Sequence, residues 1–195
     1  LAARRCLLNR WNVWMADPTH GYVSRGGLKL EAALDAFDLD VSGFRCADLG
    51  CSTGGFVDCL RQRGADRVFA IDTAYGELAW KLRRDDRVVV MERTNALHAP
   101  PPDDAAGRCD LVTIDLGWTK QDRALPAALP WLAPVGKVIT LVKPHYESGR
   151  HRLDDDGEAR RIAEACLEAL APRGWDSRGL IASPIRGGKG KNLEF

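Results

Sequence analysis

No apolar run in this 195-residue chain approaches the ~20 residues needed to cross a bilayer, and no signal peptide heads it. The expectation is a cytoplasmic protein with no membrane partner. Cysteine occurs six times, but never as C-x-x-C and never beside a histidine cluster. That scatter argues against a metal site or a disulfide framework and for reduced thiols packed as small hydrophobes. A formal net charge of +1 supplies no bulk attraction to nucleic acid. The dinucleotide fingerprint G-x-G-x-x-G is absent from the glycine-rich turn, because Ser52 stands where its second glycine belongs.

What is there reads as one ordinary α/β domain, with apolar and charged fractions of 45% and 28%, near globular averages. Strand patterns run over 44–49, 67–72, 87–91, 110–115 and 137–142, with a further candidate over 178–183. Helical patterns cover 28–37, 56–63, 76–84, 121–132 and 156–171. This alternation predicts a Rossmann-like, doubly wound fold with helices on both faces of a mostly parallel sheet. Residues 1–21 are an extension ahead of the domain at 22–195, and Trp11 and Trp14 fit a short helix there.

The stretch Phe44–Phe56 predicts a strand that delivers Asp48 and Gly50 to the carboxyl edge of the sheet. A turn through Ser52, Thr53, Gly54 and Gly55 follows, and a helix starts at Phe56. Cofactors with a nucleotide moiety bind at this place in open α/β sheets. The spacing G-x-x-x-G-G after an acidic residue fits S-adenosylmethionine better than NAD. Gly54 and Gly55 are expected to let the backbone approach that ligand. Asp72 ends the second strand about twenty residues on, where a carboxylate accepts from ribose hydroxyls; a helix cap is the plainer alternative. Asn95, after the third strand, is a candidate for facing adenine, against ordinary turn chemistry.

Asp115 closes the fourth strand and Lys143 the fifth, so both are expected at the methyl end of such a cofactor. A ribose hydroxyl is a poor nucleophile near neutral pH, and a lysine steadied by carboxylates can take its proton. Basic residues gather at both ends of the sequence: Arg4, Arg5, Arg10, Arg25 and Lys29, then Arg186, Lys189 and Lys191. If the ends meet, they form a rim for a polyanion; solvated surface charge is the alternative.

Four segments carry a family resemblance: 22–30 (YVSRGGLKL), 48–56 (DLGCSTGGF), 92–95 (ERTN) and 141–144 (LVKP). The terminal 192–195 (NLEF) adds a fifth. Over 22–195 the chain resembles the FtsJ-like RNA 2′-O-methyltransferases, and within them the haemolysin-type ribosomal RNA methyltransferases. The resemblance implies a seven-stranded, mostly parallel sheet and S-adenosylmethionine as cofactor. It implies a Lys-Asp-Lys-Glu catalytic set, here Lys29, Asp115, Lys143 and Glu194. Lys143 would activate the 2′-hydroxyl, Asp115 and Glu194 would tune it, and Lys29 would hold ribose or phosphate. The cofactor contacts would be Asp48, Gly50, Ser52, Thr53, Gly54, Gly55, Phe56, Asp72, Asn95 and Asp115. RNA, ribosomal in this family, would meet Arg25, Lys29, Arg186 and Lys189.

The chain departs from the family in three places. The 21 residues before the first motif cannot hold the S4 RNA-binding module of the haemolysin-type members. Leu-Gly-Trp-Thr follows Asp115, and His145-Tyr146-Glu147 follows Pro144. A small-molecule hydroxyl as acceptor, and a catalytically silent cofactor-binding scaffold, are the competing readings. Glu147, four residues beyond Lys143, competes with Glu194 as the nearby acid.

Overall fold

A computed structural model of the protein describes residues 21–187 and 191–195. Lys189 and the segment around Trp11 and Trp14 lie outside the described residues. Five strands build the sheet: β1 (Arg45–Leu49), β2 (Arg67–Ile71), β3 (Val88–Met91), β4 (Cys109–Ile114) and β5 (Leu132–Thr140). Their order is β3-β2-β1-β4-β5 and every pairing is parallel.

Parallel strands covered on both faces must be apolar on both, and the two-residue period then sorts them. Cys46, Val68, Ala70 and Leu111 join a core beneath helices α1 (Gly26–Ala36) and α2 (Gly55–Gln62). Ala47, Leu49, Phe69, Ile71, Val112 and Ile114 join a second core around Trp131 and Leu125 on the opposite face. Helices α3 (Trp80–Arg83), α4 (Gln121–Ala124), α5 (Pro144–Glu147) and α6 (Asp156–Leu170) complete the set, with α6 capped by Asp155 on the Gly157 N–H at 2.7 Å.

Five expectations need correction. Seven strands are not found among the described residues, where the sheet has five. The 178–183 segment forms no strand, although Ser183 N–H donates to Glu194 O at 2.8 Å. The helix expected over 76–84 is reduced to one turn, because the preceding residues fold across the glycine turn, where Ala79 N–H donates to Thr53 O at 3.0 Å. The 121–132 helix passes at Leu125–Ala128 into a 3₁₀ turn with Pro126 near its start, and β5 begins five residues earlier than expected.

Candidate active site

The strand order reverses between β1 and β4, and the loops leaving those strands open a cleft at the carboxyl edge. Asp115 N–H donates to Leu49 O at 3.1 Å, which holds the two loops side by side. Gly50, at φ +97°, lies so close that a Cβ there would come within 2.7 Å of the Asp115 carbonyl. Glycine is required at that point by both backbone angle and space.

The turn that follows is held by hydrogen bonds. Gly50 and Cys51 N–H groups both donate to Ile71 O, and Ser52 adopts a left-handed φ of +46°. Asp72 accepts the Ser52 N–H through Oδ2 and the Ala74 N–H through Oδ1, each at 2.8 Å. It thus ties the β1 and β2 loops together, and its carboxylate has lone pairs to spare. Gly54 and Gly55 also have a packing role that the sequence did not suggest. A Cβ on Gly54 would strike the Leu78 and Leu82 side chains, and one on Gly55 would strike Ser24 and Gly27. These two glycines permit close packing of the loop and of α1 against α2.

A cavity of about 330 Å³ fills the cleft. Asp48, Gly50, Ser52, Thr53, Gly55, Phe56 and Asp115 line it, and Arg25, Lys29 and Arg186 are also in its wall. Gly54, Asp72 and Asn95 stand back from it. Asn95 accepts the Leu97 N–H at 3.0 Å, the turn chemistry weighed above. Asp48 is 1% exposed; Thr113 Oγ1 donates to its Oδ1 at 2.7 Å, and its Oδ2 has no partner. Burial pushes its carboxyl up to about 7 against the hydroxyl's opposing pull, with Asp115 and Asp72 adding to the rise.

Two lysine–carboxylate pairs flank this cleft. Lys143 Nζ lies 2.5 Å from Asp115 Oδ1 and donates to the Leu116 carbonyl at 3.0 Å. Lys29 Nζ, from the second turn of α1, donates to Glu194 Oε2 at 2.6 Å, and both side chains are largely buried. Glu194 is brought there by the terminal residues, since Val142 and Phe195 exchange backbone hydrogen bonds at 2.6 and 3.0 Å. Asn192 braces the segment by bonding Leu153 and His151. Glu147 is spent elsewhere, accepting the Gln121 N–H at 2.8 Å.

Arg186 forms a two-pronged pair with Asp156 at 2.9 and 2.6 Å, so that member of the expected basic rim is neutralised. Two features were not predicted from sequence. Trp118, 70% exposed and at φ +52°, stacks on Tyr146 with ring centroids 4.7 Å apart. His145 is buried, its ring against that of Tyr146. The one available signal was that both lie where the chain departs from its family's motifs.

The fold and cleft define a methyltransferase domain of the Rossmann-like class, which takes S-adenosylmethionine. The FtsJ-like methyltransferase family model matches residues 22–195, and the chain belongs to that family. YqxC of Bacillus subtilis is 43% identical over 180 residues, 89% of this chain and 64% of YqxC. The 16S/23S rRNA (cytidine-2′-O)-methyltransferase TlyA of Mycobacterium tuberculosis is 42% identical over 187 residues, 93% of this chain and 69% of TlyA. The chain thus spans just under two thirds of the first of these relatives. A Lactococcus lactis protein of known structure superposes with a TM-score of 0.82 at 40% identity, covering 90% of this chain and 87% of that one.

Proposed function

We propose that the protein transfers a methyl group from S-adenosylmethionine to a ribose 2′-oxygen of RNA, ribosomal RNA being the favoured acceptor. The observation that carries this reading is the presence of two lysine–carboxylate pairs, Lys143–Asp115 and Lys29–Glu194, beside one glycine-turned cleft. Likeness to TlyA, named as an rRNA 2′-O-methyltransferase, supports the choice of acceptor.

The residues fit the cofactor. Asp48 offers a buried carboxylate oxygen without a partner, suited to the ammonium of a methionine moiety. Asp72 retains acceptor capacity for ribose hydroxyls, and the bare Gly50 backbone keeps the cradle open. When bound, the cofactor supplies an electrophilic methyl on a sulfonium leaving group, so the protein's task is alignment and proton removal.

Lys143, as the free amine, would take the hydroxyl proton while the Asp115 carboxylate fixes its position. Lys29 would hold the ribose or its phosphate, kept in place by Glu194, and Arg25 would add a phosphate contact from the cavity wall. The test is transfer of a radiolabelled methyl group to ribosomal subunits, naked rRNA and a small-molecule extract in parallel. Label must appear in RNA as alkali-resistant dinucleotides, the mark of a blocked 2′-oxygen. Label confined to bases or to small molecules would overturn the reading.

A further inference from the structure

Trp118 is 70% exposed and holds a left-handed φ of +52°, a conformation that a bulky residue rarely adopts. Its ring stacks on Tyr146 with centroids 4.7 Å apart and 27° between the planes, and it meets the His151 ring edge-on at 5.2 Å. An indole packed for stability would be covered, whereas this one rests on a neighbouring ring and leaves its outer face in water. Tyr75, exposed on the loop after β2, differs in having the Arg93 guanidinium over its face at 4.2 Å.

The Trp118 loop is tied to Lys143 from two directions. Leu116 O accepts from Lys143 Nζ at 3.0 Å, and the same nitrogen lies 5.4 Å from the Tyr146 centroid. Thr119 Oγ1 donates to Gly117 O at 3.0 Å and steadies the turn between them. Three residues separate Trp118 from Asp115, so their Cα atoms are at most about 11 Å apart.

Resting on the reading proposed above, we propose that Trp118, backed by Tyr146, is the platform on which an unpaired base at or beside the acceptor nucleotide stacks while the ribose is presented to Lys143. A base inside a duplex has both faces covered by its neighbours, so a free indole face serves only a base outside the stack. Stacking is blind to base identity, because every base has a π-face. The platform therefore selects unpaired RNA rather than a sequence. Tyr146 supplies the register, since it touches both the indole and Lys143. Its stack also orients the indole before RNA arrives, which lowers the ordering cost of binding.

Two variants and one probe test this. Trp118→Asn removes the ring and suits the left-handed backbone, so the loop keeps its path; Trp118→Phe keeps a ring. The probe is a single-stranded oligoribonucleotide carrying 2-aminopurine between uridines, alone or annealed to its complement. The wild type should quench the single strand on binding and prefer it to the duplex. Trp118→Asn should abolish the quench and weaken single-strand binding roughly 5- to 100-fold, the worth of one stacked base, and Trp118→Phe should recover most of both. In transfer assays Trp118→Asn should raise KM for RNA in the same range. Its affinity for S-adenosylmethionine should match the wild type, which also reports an intact fold. Single-strand binding by Trp118→Asn indistinguishable from wild type overturns the proposal, and so does a wild-type preference for duplex. Binding and quench need no methyl transfer. A wild type that quenches the strand through Trp118 but leaves RNA unmethylated would remove the choice of acceptor and uphold the platform.

Discussion

Gly187 stands so close to the Glu194 carboxylate that no Cβ could be placed between them. The glycine fixes the acid laterally while Lys29 holds its tip. Gly187→Ala should push Glu194 off Lys29 and cost about 1–3 kcal/mol in stability, the usual scale of overpacking. Chemical denaturation will measure that loss. Methyl transfer should fall with it, and an alanine variant of wild-type stability and rate would show that the glycine is idle.

Lys143→Ala removes an amine at the sheet edge and leaves the glycine turn intact. Turnover should drop by about 10²-fold or more, the scale of losing placed acid–base help, while cofactor affinity measured by calorimetry stays within a few-fold. Lys143→Arg should fail as well, because a guanidinium keeps its proton at any working pH. Near-normal turnover in Lys143→Ala would remove this residue from the chemistry.

Asp48 makes the folded chain sensitive to pH. Its carboxyl is raised from 3.8 to about 7, so across that window the native state holds a proton that the unfolded chain has shed. Stability contributed by this group is complete below the lower value and is lost as pH rises through the upper one. Asp48→Asn keeps an acceptor for Thr113 and should raise the melting temperature by a few degrees at pH 8, with little change at pH 4. Binding should move the other way. Wild-type affinity for S-adenosylmethionine should weaken as pH falls below 7, and the asparagine variant should bind weakly at every pH.

Asp72→Ala removes the acceptor of two backbone N–H groups together with the expected ribose contact. Cofactor binding should weaken by about 1–3 kcal/mol, with no comparable binding of NAD by either protein. Equal affinity of the wild type for NAD would refute the reading of the glycine spacing.

Arg25 and Arg186 separate the two halves of the expected rim. Arg25→Glu should weaken RNA binding and flatten its salt dependence. Arg186→Glu should do less, because Asp156 already neutralises that guanidinium. Titrations of a labelled oligonucleotide at several salt concentrations will rank them, and equal losses would mean that Arg186 leaves Asp156 to meet RNA.

The sheet and the meeting of Asp115 with Lys143 were legible because parallel strands deliver their last residues to one edge, whatever lies between. The resemblance put Lys29 and Glu194 in one set but gave Glu194 to Lys143; its bond to Lys29 was not legible, since nothing local links the helix at 26–36 to residues 192–195. The packing role of Gly54 and Gly55 was not legible, because their neighbours Leu78, Leu82 and Ser24 come from elsewhere in the sequence. The burial of His145 was invisible for the same reason. Spacing cannot show that the terminal residues and Tyr146 enclose a polar ring.

The bond between Lys29 and Glu194 spans 165 positions of sequence. Contacts so distant carry a large loop-closure entropy, which the intervening strands must offset before the ends can join. The glycine turn and its Asp72 tie lie within 25 residues of one another and can order early. A chain in which residues 192–195 have not yet docked would therefore hold the glycine turn without the Lys29–Glu194 pair. On the function proposed above, docking of residues 192–195 is the step that brings Glu194 to Lys29.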